Sequence, residues 1–521
     1  MSKRKVRFFN KTGPCNPDDH YMLPPEDRLI GAQLHRYIRD QLYWVLHAPR
    51  QTGKTTFLLS WMRELNVDNN VVACYVSVER CQGIPDIERS MPAIYEAIRQ
   101  YAGYAQLPVP KITDVHPASL LGATLTEWSR LVAPKPLIVL FDEVDTLEGE
   151  AMISFLRQLR GGFAARGVGT FPTSIALVGM RDLKDYITAS KDGVAPNPGS
   201  PFNIKEDSAV IGNFSKDDVA HLFAQRTAET GQQITHEALD YVWEQSQGQP
   251  WIVNNLFMRA TMRVLDEDST ETVALEHVTA ARQQMVLARE THLDALTYRL
   301  EDPRIRKVLE SLMTGDSDMT LAESEGFRLC VDLGLVSLVK GTPQVANPIY
   351  REVLARKMTF GAQTAIPEPE WAWEKPDSSL DMDRLMVEFQ KFWRRHSERW
   401  EETANYTEAF PHLLLMAFLQ RVLNGGGEIT REYAAGRGRM DLAVEYRDHI
   451  YIIEIKMIRS HDGPETVLEE GLEQIRRYRD SICATAPAYL VIFDRRPQAK
   501  AKPWDDRIGW EKIDDVTVVR A

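Results

Sequence analysis

The sequence predicts an α/β multidomain protein, and three observations carry that prediction. An apolar run at 42–46 passes through Ala48-Pro49-Arg50-Gln51-Thr52-Gly53-Lys54-Thr55 into a helical pattern, and a second apolar run, "PLIVLF", ends in Asp142-Glu143. Near the far end, two alternating stretches flank a tight turn at Arg447-Asp448. Parallel strands buried on both faces read as continuous apolar runs, whereas a hairpin with one covered face alternates. At 521 residues the chain also exceeds one core, because hydrophobic cores stop growing at about 250–300 residues. We divide it into an N-terminal segment (1–30), a nucleotide-binding core on a parallel sheet (31–215), a helical lid (216–285), a winged helix (286–360), a linker (361–380) and a C-terminal α/β domain (381–521).

The first run has the strand, loop and helix context of a phosphate-binding loop. Backbone N–H groups at a helix N-terminus cradle phosphate, so Arg50, Gln51, Thr52, Gly53, Lys54, Thr55 and Thr56 are the candidate ATP contacts. Lys54 reaches the terminal phosphates and Thr55 offers its hydroxyl to Mg2+. Ala48 departs from the glycine of G-x-x-x-x-G-K-[ST], which is tolerated if its backbone torsion stays in an allowed region. Asp142 stands where a strand end holds Mg2+ through water, and Glu143 where a carboxylate polarises the attacking water.

These motifs resemble the STAND and origin-recognition-type branches of the AAA-like P-loop ATPases. The resemblance implies that Arg181, just past the strand "SIALVGM", senses the terminal phosphate or acts on a neighbouring subunit. It further implies that Gly248-Gln249-Pro250 opens a lid helix near the nucleotide, and that Tyr21 to Arg28 border the adenine.

Between the two chemistries, "RIRKVLESLM", "GLVSLV", a Gly-Thr-Pro turn and "QVANPI" read as a winged helix. Its recognition helix, expected at 319–333, is acidic, which favours coupling or partner binding over DNA readout. Proline and small polar residues at 359–381 mark the linker.

In the C-terminal hairpin a two-residue turn makes Tyr446 face His449 and Asp441 face Glu454. Glu454 and Lys456, two apart, share one face of the strand. Two carboxylates and an ammonium in one small volume suit Mg2+, or alternatively Mn2+, which can activate water against a phosphodiester. Asp441 followed by Glu454-Ile455-Lys456 resembles the PD-(D/E)XK nuclease superfamily. That resemblance implies a helix, "EEGLEQIRRYRD", beside the site with Gln474 and Tyr478 on one face, and a first core helix, "NYTEAFPHLLLMAFLQRV", carrying the acidic Glu408. Candidate catalytic residues are thus Asp441, Glu454, Lys456 and Glu143, supported by Glu408, Gln474 and Tyr478. Candidate metal ligands are Thr55, Asp142, Asp441 and Glu454.

With 62 basic against 74 acidic residues, the balance argues against indiscriminate nucleic-acid binding and leaves local patches such as 391–400 and 494–502. Phe389, Phe392, Trp393 and Trp400 within or beside the first patch have helical spacing and are expected to be a core stripe. No apolar run reaches a membrane span, so no membrane partner is expected. "MSKRKVRFFNKTG" lacks an apolar signal region, and five cysteines without C-x-x-C spacing fit a reducing cytoplasm. The expected function is an ATP-binding and ATP-hydrolysing protein whose nucleotide state regulates a metal-dependent nuclease acting on nucleic acid, DNA first, with defence against foreign DNA as a setting. A homo-oligomer or a protein activator is compatible with it. The alternative is a STAND-like switch or a nucleic-acid remodelling ATPase whose C-terminal module binds without cutting.

Overall fold

The computed structural model describes residues 6–180, 205–288, 291–313, 323–365, 373–403, 414–415, 418–419, 427–435, 438–458, 462–494 and 496–521. They fall into two compact units, Met1–Glu290 with Phe327–Ile349, and Thr291–Gly326 with Tyr350–Ala521.

The first unit is built on strands β1 (Leu29–Ile30), β2 (Tyr43–His47), β3 (Val72–Ser77), β4 (Leu137–Asp142), β5 (Ser174–Gly179) and β6 (Lys205–Ile211), in the order β1-β6-β2-β5-β4-β3. β2 runs parallel to β5 and β6, and β4 parallel to β3 and β5, while β1 pairs antiparallel with β6. Parallel neighbours need crossovers. Helices α2 (Lys54–Val67), α3 (Ile87–Tyr104), α4 (Pro117–Val132) and α5 (Gly149–Ala165) contribute to them, after a short α1 (Leu34–Arg39). One face of the sheet packs Val45, Val139 and Phe141 against Met91, Leu121, Trp128 and Phe155; the other packs Trp44, Leu46 and Leu140 against Phe57 and Trp61. Both layers are apolar, which is why these strands read as unbroken runs. β2 lies between β5 and β6, whereas β3, next in sequence, lies at the far edge. The chain therefore reverses direction across the sheet at the C-terminal end of β2, where open α/β sheets form their crevice.

Helices Lys216–Thr230, His236–Ser246, Pro250–Arg259 and Leu275–Leu287 follow the sheet. Ser215 and Asp218 close a reciprocal capping box at the first. The unit also contains the hairpin of β7 (Val336–Val339) and β8 (Thr342–Val345). Its turn is Lys340-Gly341, with φ of 51° and 82°, and Thr342 and Pro343 belong to β8. The expected Gly-Thr-Pro turn is thus shifted towards the pair that accepts left-handed torsions, and Pro343 is tolerated because each strand of a two-stranded ribbon is an edge. The helix expected at 319–333 is described as Glu325–Asp332.

The second unit carries a sheet of β9 (Gly427–Ala435), β10 (Gly438–Tyr446), β11 (His449–Ile458), β12 (Ala488–Asp494), β13 (Gly509–Ile513) and β14 (Val516–Arg520), in the order β13-β14-β12-β11-β10-β9. β9, β10 and β11 form an antiparallel meander, and β11, β12 and β14 are parallel. The helix Pro464–Ile482 crosses over from β11 to β12 and buries Leu472, Ile475 and Tyr478 against Ile452, Leu490 and Ile492. Phe389 and Trp393, on the helix Met382–Thr403, meet Phe493 with ring centroids 6.1 and 4.9 Å away. The expected aromatic stripe is therefore core; the side chain of Trp400 lies outside the described residues. Within the expected 361–380 linker, the helix from Pro348 continues to Ala365, and Glu374 bridges to Leu380, whose N–H donates to Tyr451 Oη at 2.7 Å.

Candidate nucleotide and nuclease sites

In the loop after β2, Gln51 (φ 59°) and Gly53 (φ 98°) take left-handed torsions and Ala48 does not, so alanine is accommodated at that first position. Lys54 opens α2, is 8% exposed, and donates from Nζ to the carbonyls of Ala48 and Pro49 at 2.8 and 2.9 Å. Burial lowers its pKa, against the opposing pull of Glu143, Asp142 and Asp145. Thr55 Oγ1 donates to Asp142 Oδ2 at 2.7 Å, and Tyr75 Oη to the same oxygen at 3.1 Å. The two expected Mg2+ ligands of this site are thus already side by side. Thr52 turns inward, its Oγ1 donating to Pro49 O at 2.9 Å.

Glu143, at φ 58°, stands just beyond β4, and its carboxyl is pushed up to about 7 by burial and by the nearby Asp145 and Asp142. Asp145 was not singled out from the sequence. It is held above the usual carboxylate range by burial, and its Oδ1 has no hydrogen-bond donor among the described residues. Its signal was the acidic repeat in "DEVD", whose last member the motif does not require.

A cavity of about 360 Å3 opens over the loop, lined by Arg50, Gln51, Gly53, Lys54, Thr55, Thr56 and Glu143. Tyr21, Met22, Leu23, Pro25 and Arg28 form one wall, and Pro250, Trp251 and Asn254 form another. Arg28 is the residue whose role was least legible. Its Nη1 donates to Thr52 O at 3.0 Å and Gly212 O at 2.7 Å, its guanidinium stacks 4.8 Å from the Phe214 ring, and burial pulls its pKa down to about 10. Gln249 Nε2 reaches Gln51 O at 3.5 Å, linking the start of the helix Pro250–Arg259 to the loop after β2. Arg181 lies outside the described residues.

In the second unit the hairpin register runs from Leu442↔Ile453 to Tyr446↔His449, around a turn whose Arg447 has φ 51°. This is the register expected from a two-residue turn; carried one position outward it sets Asp441 across from Glu454. The side chain of Asp441 and all of Glu408 lie outside the described residues. Glu454 is 3% exposed and its Oε1 lies 3.2 Å from Lys456 Nζ. Ile452, Glu454, Lys456 and Ile458 share the strand face covered by the helix Pro464–Ile482. Gly471 of that helix makes the approach close, since a Cβ there would lie 2.7 Å from Leu490 Cδ1 and 3.2 Å from Lys456 Cγ. Gln474, one turn on, presents a buried Oε1 with no hydrogen-bond donor among the described residues, whereas Tyr478 is packed into the apolar layer with Ile452.

A buried carboxylate needs a cation or a donor, and here Lys456 supplies one. The hard oxygen donor Glu454 suits a divalent ion, and the buried Gln474 acceptor suits a water around one. Among the described residues no group of three His, Cys, Asp or Glu side chains converges as a metal site, and no helix is long and apolar enough to cross a membrane. None of the five cysteines is disulfide-bonded.

Residues 406–492 match the PD-(D/E)XK nuclease superfamily. Solved structures similar to this chain include the Walker-type ATPase of Pyrococcus abyssi (14% identity, 66% of this chain and 99% of that one, TM-score 0.48). Others are the RuvB Holliday junction branch migration motor of Thermotoga maritima (14%, 60% and 88%, TM-score 0.34) and the ORC2 protein of Aeropyrum pernix (14%, 64% and 92%, TM-score 0.37). No curated protein matches the chain. Residues 406–492 thus carry the match to a PD-(D/E)XK nuclease superfamily model, and the first unit carries a P-loop-type strand, loop and helix on a parallel sheet.

Proposed function

We propose that the protein is an ATP-binding and ATP-hydrolysing, metal-dependent nuclease of the cytoplasm that cleaves phosphodiester bonds in nucleic acid, DNA first, under control of its nucleotide state. The observation that carries this reading is the buried Glu454 carboxylate beside Lys456, on a strand face closed by the Gln474 helix. Burying that charge is costly, and a sheet with no chemistry to perform would place an apolar side chain there.

Asp441 and Glu454 would hold Mg2+ or Mn2+, which supplies a Lewis acid and lowers the pKa of a bound water. Lys456 would orient the attacking water and offset negative charge developing on the phosphate, and Gln474 would accept a hydrogen bond from that water. At the nucleotide, the loop N–H groups and Lys54 neutralise phosphate charge, Thr55 and Asp142 would hold Mg2+, and Glu143 takes the proton of the attacking water. Regulation follows if ATP, binding between the phosphate loop and the lid segment at Pro250, shifts the arrangement of the two units. Arg181 is assigned to the terminal phosphate and Glu408 to support of the metal. A homo-oligomer or a protein activator and a role in defence against foreign DNA are consistent with this reading.

The test is cleavage of single- and double-stranded DNA and RNA with Mg2+ or Mn2+, with and without ATP, for the wild type, Glu454→Ala and Lys54→Ala. Metal-dependent cutting absent in Glu454→Ala, with altered ATP response in Lys54→Ala, is expected. Cutting that persists in Glu454→Ala overturns the nuclease assignment.

A further inference from the structure

Past Lys456, the helix-covered face of the C-terminal sheet opens into a cavity of about 440 Å3. Its floor includes Ile458, two residues beyond Lys456 on the same strand face, and Ile492, the parallel-register partner of Lys456. Two residues of strand span about 7 Å, within reach of the next one or two nucleotides along a bound strand. The cavity's outer wall comes from the segment after β12, with its short helices Pro497–Lys500 and Trp504–Arg507. Neither motif accounts for that segment.

Two flat surfaces stand in this wall. The Arg507 guanidinium lies 4.7 Å from the centroid of the Trp504 ring, and Arg507 Nε is fixed by donating to Lys502 O at 2.7 Å. Arg496 is likewise locked, donating to both oxygens of Asp494 at 2.9 and 2.6 Å. The wall's charge is close to even: Arg496, Lys502, Arg507 and Arg520 against Glu465, Asp494 and Asp506. Phosphate neutralisation is therefore a small part of what this cavity offers, and stacking is the larger part. Its volume is at the small-ligand end of binding pockets, with room for one nucleotide and none for a duplex.

We propose that this cavity seats one unstacked nucleotide adjoining the scissile phosphate, its base against the Trp504–Arg507 pair. The substrate is then DNA or RNA that is single-stranded or unpaired at that point, since a paired base would first have to leave its stack. The proposal rests on the nuclease reading of Glu454 and Lys456.

The test uses full-length protein in a Glu454→Ala background, so that binding is read without cleavage. Fluorescence anisotropy compares short labelled single-stranded DNA, single-stranded RNA and duplex DNA at several salt concentrations. Single strands should bind more tightly than duplex and with weak salt dependence. Trp504→Ala should weaken single-strand binding by roughly 5- to 100-fold, while Trp504→Phe, which keeps a ring, retains most of it. Circular dichroism and thermal melts equal to the parent's verify that the variants fold. Duplex bound as tightly as single strands, or Trp504→Ala binding like its parent, overturns the proposal. Failure of the nuclease reading shows separately, as a wild-type chain that cuts nothing while these binding differences stand.

Discussion

Gly248 offers the sharpest test of how the segment before the helix Pro250–Arg259 is held against Phe214 beside the phosphate loop. It has φ 71°, and a Cβ built there would lie 1.9 Å from Phe214 O and 2.9 Å from Phe214 C, both backbone atoms. An ordinary carbon–oxygen contact is about 3.3 Å, so Gly248→Ala must force the two segments apart by more than an ångström. They are joined by Phe214 N donating to Gly248 O at 2.8 Å, a bond that cannot survive such a shift. The left-handed torsion costs an alanine about 1–2 kcal/mol, the lost bond about 1 and the overpacking about 1–3, or roughly 3–6 kcal/mol together. Gly231→Ala is the control: it has φ 81° with nothing within 4 Å of the new carbon, and should cost only the torsional part. At about 1.5 °C per kcal/mol for a unit of this size, the melting temperatures of the two variants should differ by roughly 3–6 °C. Nucleotide affinity should fall in Gly248→Ala alone, because the next two residues reach Gln51 and line the cavity. Equal melting temperatures and equal nucleotide affinities for the two variants would refute the reasoning.

Lys54→Ala should abolish stabilisation by MgATP, which in the wild type reaches about 2.7 kcal/mol at a hundredfold excess over Kd; thermal unfolding with and without nucleotide measures it. ATP turnover should fall as pH is lowered through about 7, where Glu143 takes up a proton, and Asp145→Asn should move that limb to lower pH by removing a neighbouring charge. The same carboxyl titrates near 4.5 when unfolded, so the folded chain binds more protons between 4.5 and about 7. Its contribution to stability is therefore greatest below that window and declines as pH rises through it, a slope that Glu143→Gln should remove in urea titrations at several pH values. Gly471→Ala pushes on Leu490 and Lys456, and should reduce cleavage at least about tenfold while ATP turnover is unchanged; parent-like cleavage counts against the close approach.

Local periodicity alone determined the hairpin. Alternation from Leu442 to Tyr446 and a two-residue turn leave one register, because a one-residue slip would turn every side chain to the other face. The phosphate loop was legible for the same local reason, since strand, loop and helix follow one another within a few residues. What only the tertiary structure decided is which distant segments meet. Thr55 and Asp142 are 87 residues apart yet share a hydrogen bond, because β2 and β4 flank β5 in the sheet. Arg28 under Thr52 and Trp251 over the cavity have no local signature, as their roles arise from long-range packing. The wall around Trp504 was likewise invisible: 494–502 read as a basic patch, and only the packing of 496–507 over the sheet shows a cavity with nearly balanced charge. Side-chain periodicity reports which face of an element is buried; it carries no information on what the chain folds over that face.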